Sequence, residues 1–169
     1  MSFGVNLNCQ INDVEFDMGI YFETSYTCEV TSLDNSDNNI VINGHNGVNQ
    51  LNKNDTDVKA IYFHDTNTKY IRENLGYLFN LTFFIMYNTQ LIEIKAKDFN
   101  GMDNLNTLSL FNNKLSSVPS NAFNKLTKLK LISLRNNQIE ALPIGLFLNN
   151  INLETIYLHD NKLKFLGPN

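Results

Sequence analysis

The chain has 169 residues and a net charge of −4, from 13 basic and 17 acidic residues. This length fits one domain that can bury a substantial core. Nucleic acid and anionic membrane surfaces are poor candidate partners, because both require clustered lysines and arginines and the chain has no basic run. No apolar stretch reaches the length of about 18 residues that indicates a membrane span, so we expect no membrane insertion of this segment.

Residues 1–57 contain no repeat and are predicted to form a small β-rich N-terminal capping region. β-Forming residues at 13–16 and 21–30 predict a hairpin or two short strands, with Met18 and Gly19 between them. A further short strand is predicted at 40–42, followed by a polar loop at 46–57. The first nine residues show neither the basic nor the apolar region of a signal peptide.

From residue 58 onward one pattern recurs. Its clearest copies are Leu105, Leu108, Leu110, Asn113 and Leu115, then Leu129, Ile132, Leu134, Asn137 and Ile139, then Leu153, Ile156, Leu158, Asn161 and Leu163. The period is 24 residues (129 − 105 and 153 − 129). Two less regular copies precede them, which gives five predicted repeats at 58–80, 81–104, 105–128, 129–152 and 153–169, the last incomplete.

This pattern, L-x-x-L-x-L-x-x-N-x-L, resembles the leucine-rich repeat family. The resemblance implies a right-handed α/β leucine-rich repeat solenoid. It further implies a parallel β-sheet on the concave face and irregular or short 3-10 helical segments on the convex face. The capping region, with Tyr26, Thr27 and Cys28 ahead of the repeats, is similar to that of secreted insect leucine-rich repeat proteins, some of them linked to innate immunity.

The template positions have physical roles. One copy cannot bury its leucines alone, but stacked copies share a continuous core. Asn113, Asn137 and Asn161 follow the strands, where an amide can donate to buried carbonyls and accept from buried N–H groups. Thr66 and Thr89 replace asparagine with a hydroxyl, which predicts a looser first half. The phenylalanines of the return segments are predicted to stack as a spine, formed by Phe99, Phe123 and Phe147.

Two cysteines, Cys9 and Cys28, lie in the capping region. An even count is compatible with one disulfide, but two cysteines also occur without a bridge in cytosolic proteins. The family resemblance implies a bridge that staples the cap, and with it an extracellular location. Two N-glycosylation sequons, at Asn54 and Asn80, are weak signals in a chain this rich in asparagine, and Asn54 is the better candidate because it lies in a polar loop.

Function should lie in the side chains that point outward from the strands. Contiguous apolar surface there indicates a binding site, and aromatics with arginine are enriched where interfaces are strongest. We therefore predict that the concave face binds another protein. The predicted contact residues are Tyr62, Phe83, Ile85, Tyr87, Phe111, Leu131, Arg135, Tyr157 and His159. The alternative is that the cap, a missing C-terminal segment or a crystal neighbour covers these side chains.

A catalytic site is not predicted. His64 with Asp65 and His159 with Asp160 resemble acid-base pairs, but they lie four strands apart, about 19 Å at the spacing of strands in a sheet. Cys9, Cys28 and His45 do not have the spacing of a zinc site. We expect no enzyme activity, no cofactor and no metal.

The fifth repeat stops two residues before its expected phenylalanine. A solenoid end without a capping unit exposes its apolar interior, so we expect either a fragment or a chain that associates with itself or another protein at this end. The predicted function is non-enzymatic protein recognition by a secreted protein, of the innate-immunity type. The alternative is the ligand-binding ectodomain of a transmembrane receptor, with more repeats and an apolar run of about 20 residues downstream.

Overall fold

A computed structural model describes residues 58–71 and 80–164 with their side chains, and 8–16 and 20–30 as strand backbone. Seven strands follow in chain order: β1 (Asn8–Phe16), β2 (Ile20–Val30), β3 (Ala60–His64), β4 (Phe83–Tyr87), β5 (Thr107–Ser109), β6 (Leu131–Ser133) and β7 (Thr155–Tyr157). One 3-10 helix, Ala96–Phe99, lies between β4 and β5. The strand predicted at 40–42 lies outside the described residues, as does the loop at 46–57.

All seven strands form one sheet in which spatial order equals chain order. β1 and β2 are an antiparallel hairpin, and every later pair, from β2 and β3 to β6 and β7, is parallel. The hairpin therefore extends the sheet of the repeats at its N-terminal edge. In the hairpin register, Cys9 lies directly opposite Cys28.

Successive strands align at the same template position, so their inward residues stack in columns. Ile61, Phe84, Leu108 and Ile132 are register partners in consecutive strands, and all four are fully buried in one core cluster. Because side chains alternate across a strand, the residues on either side of each column lie on the outer face of the sheet. The predicted solenoid architecture is confirmed.

Asparagine side chains hydrogen-bond the turns that follow β5, β6 and β7 to the preceding repeat. The Nδ2 group of Asn137 donates to the carbonyls of Leu110, Leu134 and Arg135, at 2.9, 3.0 and 3.2 Å, and its Oδ1 accepts from the N–H of Leu115 at 3.0 Å. Asn161 bonds in the same way at the next position. The predicted role of these asparagines is confirmed.

The return segments place their phenylalanines in a continuous spine. The ring of Phe123 lies 5.9 Å from those of Phe99 and Phe147, and the ring of Phe99 lies 6.3 Å from that of Phe84. The spine is as predicted, and it leads on through Phe84 to Phe63 at 5.8 Å.

Burial decreases toward the C-terminal end of the described solenoid. Ile132 is fully buried, whereas its register partner Ile156 in β7 is 43% exposed. Leu153, Leu158 and Leu163 are only partly buried against the core. Along the described stretches of the chain, no helix is long and apolar enough to cross a bilayer.

Candidate functional site

The outer face of the sheet carries three rows of side chains that run across the strands. The first row is Ala60, Phe83, Thr107, Leu131 and Thr155, the middle row is Tyr62, Ile85, Ser109, Ser133 and Tyr157, and the third row is His64, Tyr87, Phe111, Arg135 and His159. Strand register places the members of the first two rows beside one another. All nine residues predicted to contact a partner belong to these rows, so the structure brings them onto one surface.

Rings of the third row form a continuous stack. The ring of Tyr87 is parallel to those of His64, at 5.4 Å, and Phe111, at 5.1 Å. The guanidinium of Arg135 lies over the ring of Phe111 at 5.2 Å from its centroid, a cation–π contact. These contacts hold the rings in a parallel stack and restrict their rotamers. Less side-chain conformational entropy is therefore lost when a partner binds.

The prediction that Ile85 is exposed is wrong. Ile85 is only 1% exposed, because the side chains of Tyr62, Phe83, Tyr87 and Leu131 pack against it on the outer face. It therefore supports the surface from below and does not itself present atoms to a partner. Phe111, at 9% exposed, is nearly covered as well. The apolar side chains of the outer face thus pack against one another, which the strand pattern alone does not reveal.

The C-terminal half of the face, formed by β5, β6 and β7, combines small buried residues with larger side chains. Thr107, Ser109 and Ser133 are buried. Tyr157 is half-buried, and His159 is exposed with its ring 6.0 Å from that of Tyr157 in an edge-to-face contact. This half of the face therefore has short, buried side chains in its middle row, with the Tyr157 ring and the Arg135 guanidinium beside them.

A ladder of exposed or half-buried side chains borders the third row, where each strand turns away. Asp65, Asn88, Asn112, Asn136 and Asp160 all have positive φ, between 49° and 57°, a conformation that asparagine and aspartate tolerate better than other non-glycine residues. Asn136 donates to Asn112 at 2.6 Å, Asn112 donates to Asn88, and Asn88 donates to the carboxylate of Asp65 at 3.2 Å. The hydrogen bond from His64 and then that from Asn88 lower the pKa of Asp65.

The two histidine–aspartate pairs remain separate. The Nδ1 atom of His64 lies 3.1 Å from the carboxylate of Asp65, and the Nε2 atom of His159 lies 4.0 Å from that of Asp160. Three strands, β4 to β6, lie between the two pairs. Within the ranges 58–71 and 80–164, no three histidine, cysteine or acidic side chains are grouped in a way that could hold a metal ion.

The predicted modification sites are placed only in part. Asn80 is half-buried, and the hydroxyl of Thr82 in its sequon donates to the carbonyl of Lys59 at 3.0 Å. Asn54 lies outside the described residues. Glycosylation of both asparagines stays a prediction.

The fourth return segment carries an exposed apolar surface that the repeat pattern did not predict. Ile144, Leu148 and Ile151 are 80%, 78% and 85% exposed. One repeat earlier, the equivalent positions are Ser120, Asn124 and Thr127. Comparison of return segments between repeats would have found this surface, because the template constrains none of these positions.

Residues 80–139 match the leucine rich repeat family. Among solved structures, the chain is similar to the crystal structure of the APL1 leucine-rich repeat domain, with 19% identity and a TM-score of 0.64 over 80% of this chain and 35% of that one. It is also similar to the crystal structure of the LRIM1/APL1C complex, with 18% identity and a TM-score of 0.65 over 90% of this chain and 26% of that one. A search of curated proteins finds no match.

Parallel strands, inward leucine columns and bonded turn asparagines define a parallel β-solenoid built from repeats. The described residues have the leucine-rich repeat fold, and residues 80–139 match that family. At identities below 20%, the solved structures show the shared fold and nothing finer. The chain spans about a third, 35%, and about a quarter, 26%, of their lengths. This fold is a typical scaffold for binding other proteins.

Proposed function

We propose that this chain is a non-enzymatic recognition module that binds another protein through the outer face of its sheet. The observation that carries the proposal is the row of stacked rings that ends in Arg135, beside Tyr157 and His159. Aromatic and arginine side chains contribute most of the binding energy in protein interfaces. Rings held by stacking lose little entropy when a partner docks, which further favours this face.

The comparisons are consistent with a role in protein association. One of the similar structures is a complex between LRIM1 and APL1C. We propose that the partner is met outside the cell, in recognition of the innate-immunity type that the resemblance of the capping region implies.

The first test compares the outer face of the sheet with the exposed apolar surface of the fourth return segment, by a double substitution on each. We expect the double variant Tyr157→Ser, His159→Ser to lose at least tenfold in affinity for the natural partner, because it removes two side chains from the proposed interface. Its free energy of unfolding should change by no more than about 1 kcal/mol, since neither residue is part of the main core. Affinity is measured by surface plasmon resonance with a partner captured from the natural extracellular fluid.

The matched control is Ile144→Ser with Ile151→Thr, which removes two exposed side chains from the return segment. We expect it to bind like the wild type. Loss of binding in this control with retention in the sheet-face variant would show that the return segment is the interface. Equal binding by all three proteins, or no specific capture by the wild type, would also contradict the proposal.

The extracellular part of the proposal is supported by the pairing of the two cysteines. Directly opposed residues in antiparallel strands have Cα atoms about 4.5 to 5.5 Å apart, within the range of about 4.4 to 6.8 Å that a disulfide spans. Cys9 and Cys28 are opposed in this way. A bridge between them would join the edge strand β1 to its neighbour β2, and such bonds persist in oxidising compartments.

We expect the protein from its natural source to take up no iodoacetamide before reduction and two equivalents after it, as measured by intact mass. The Cys28→Ser variant, secreted from the same cells, should take up one equivalent without reduction. Two reactive thiols in the unreduced wild-type protein would show that the bridge is absent and would remove this support for an extracellular location.

A further inference from the structure

One hydroxyl on the outer face has no hydrogen-bond partner in the part of the chain that the structure describes. The Oγ atom of Ser133 is buried, and the residue is 0% exposed. Buried hydroxyls are almost always hydrogen-bonded, and one without a partner destabilises the fold. Because Ile132 points into the core, Ser133 points toward the outer face. Its unused hydroxyl thus lies at the proposed interface.

Small residues surround this hydroxyl on one side and long side chains on the others. Strand register places Ser109 and Tyr157 on either side of Ser133. Leu131 and Arg135 are two residues away on the same chain segment. Ser109 is as short as Ser133, and both are 0% exposed, so longer side chains cover this pair of serines. Leu131, Arg135 and Tyr157, all half-buried, lie around it.

Arg135 brings a permanent positive charge beside this pair of serines, in a chain whose net charge is −4. His159 follows it in the same row, one strand further on. The three outward rows contain no acidic residue. An anionic group is therefore the ligand that complements this part of the face.

We propose that the site formed by Ser133 and Arg135 receives a carboxylate side chain, aspartate or glutamate, from the partner protein. The Ser133 hydroxyl and the Arg135 guanidinium are its donors, since hydrogen bonds to a carboxylate are shorter and stronger than those between neutral groups. The carboxylate reaches Ser133 when the side chains of Arg135 and Tyr157 swing outward, a rotamer change that takes nanoseconds for side chains at a surface. This inference rests on the proposed function and specifies the partner's chemistry.

The test uses two synthetic peptides, acetyl-Ala-Tyr-Glu-Tyr-Ala-amide and the same peptide with glutamine in place of glutamate. Binding is followed by the shifts of backbone amides in ¹H–¹⁵N NMR spectra of the full chain. We expect the wild type to bind the glutamate peptide at least fivefold more tightly, with the largest shifts in β5, β6 and β7. Ser133→Ala and Arg135→Gln should each reduce this preference to less than twofold, and Ser109→Ala should retain it.

A second measurement separates a binding role from a structural one. If the Ser133 hydroxyl has no partner in the free protein, Ser133→Ala should melt at the same temperature as the wild type or higher. A lower melting temperature would show an internal partner and overturn the inference. Equal affinity for the two peptides, shifts elsewhere, or no shifts would overturn it too. The proposed function would survive these results if Tyr157→Ser, His159→Ser still lost at least tenfold in affinity for the natural partner, and would fail if that variant bound normally.

Discussion

Replacing Phe123 with alanine should lower the free energy of unfolding by about 3 to 5 kcal/mol. Phe123 is fully buried, and its ring lies 5.9 Å from the rings of both Phe99 and Phe147. The substitution removes the middle ring of the spine and leaves a cavity between two repeats. In a solenoid each repeat contacts only its neighbours, so no distant part of the core can fill that space.

The loss is measured by urea denaturation, followed by far-ultraviolet circular dichroism and by tyrosine fluorescence, since the chain has seven tyrosines and no tryptophan. The matched control is Phe147→Ala, at the same template position one repeat later. Phe147 is only partly buried, so its loss should be smaller by at least about 1 kcal/mol. Equal losses at the two positions would show that burial does not set the energy of the spine.

The sequence was sufficient to predict the parts of the fold that follow from repetition. Each repeat places its leucines at the same points of one turn, so the spacing of Leu108, Ile132 and Ile156 determines which residues stack. The turn asparagines were equally predictable, because a buried turn needs a side chain with both a donor and an acceptor. These inferences concern one turn and its copies, and they hold for any chain with the same template.

Properties of the outer face were less predictable, because they depend on neighbouring strands at variable positions. Strand alternation correctly placed Ile85 on the outer face. Its burial, however, results from the large side chains of Tyr62, Phe83 and Tyr87 that pack around it. The orphan hydroxyl of Ser133 likewise depends on its neighbours in β5 and β7. The repeat template describes the residues that all copies share, whereas the proposed interface consists of residues at positions that vary between copies.

The sequence pattern also did not predict how the cap joins the repeats. A hairpin was predicted there, but not that β2 pairs in parallel with β3. Val30 and Ala60, which end and begin these strands, are far apart in the chain, and no repeat relates the segments. Parallel pairing over such a distance is determined by tertiary packing rather than by local preference.

Replacing Asn113 with alanine should cost about 3 to 5 kcal/mol, although the change removes only a small polar group. Its Oδ1 atom accepts from the N–H groups of Thr89 and Leu91, both at 3.1 Å, and from the Thr89 hydroxyl at 3.0 Å. Its Nδ2 group donates to the carbonyls of Met86, Leu110 and Phe111 at 3.0 to 3.2 Å. Alanine leaves several of these buried groups unpaired, at about 1 to 3 kcal/mol each, and partial relaxation reduces the sum.

Asn113→Thr places at this position the residue that Thr66 and Thr89 already provide in the first two repeats. A hydroxyl supplies one donor in place of two, so we expect this variant to lose about half as much as alanine, as measured by the same urea transitions. The exposed neighbour is the control: Asn112→Gly should cost no more than about 1 kcal/mol, because glycine accepts its φ of 54°. If Asn113→Thr had the same free energy of unfolding as the wild type, threonine at positions 66 and 89 would cost the first two repeats no stability. The predicted looseness of the N-terminal half would then be wrong.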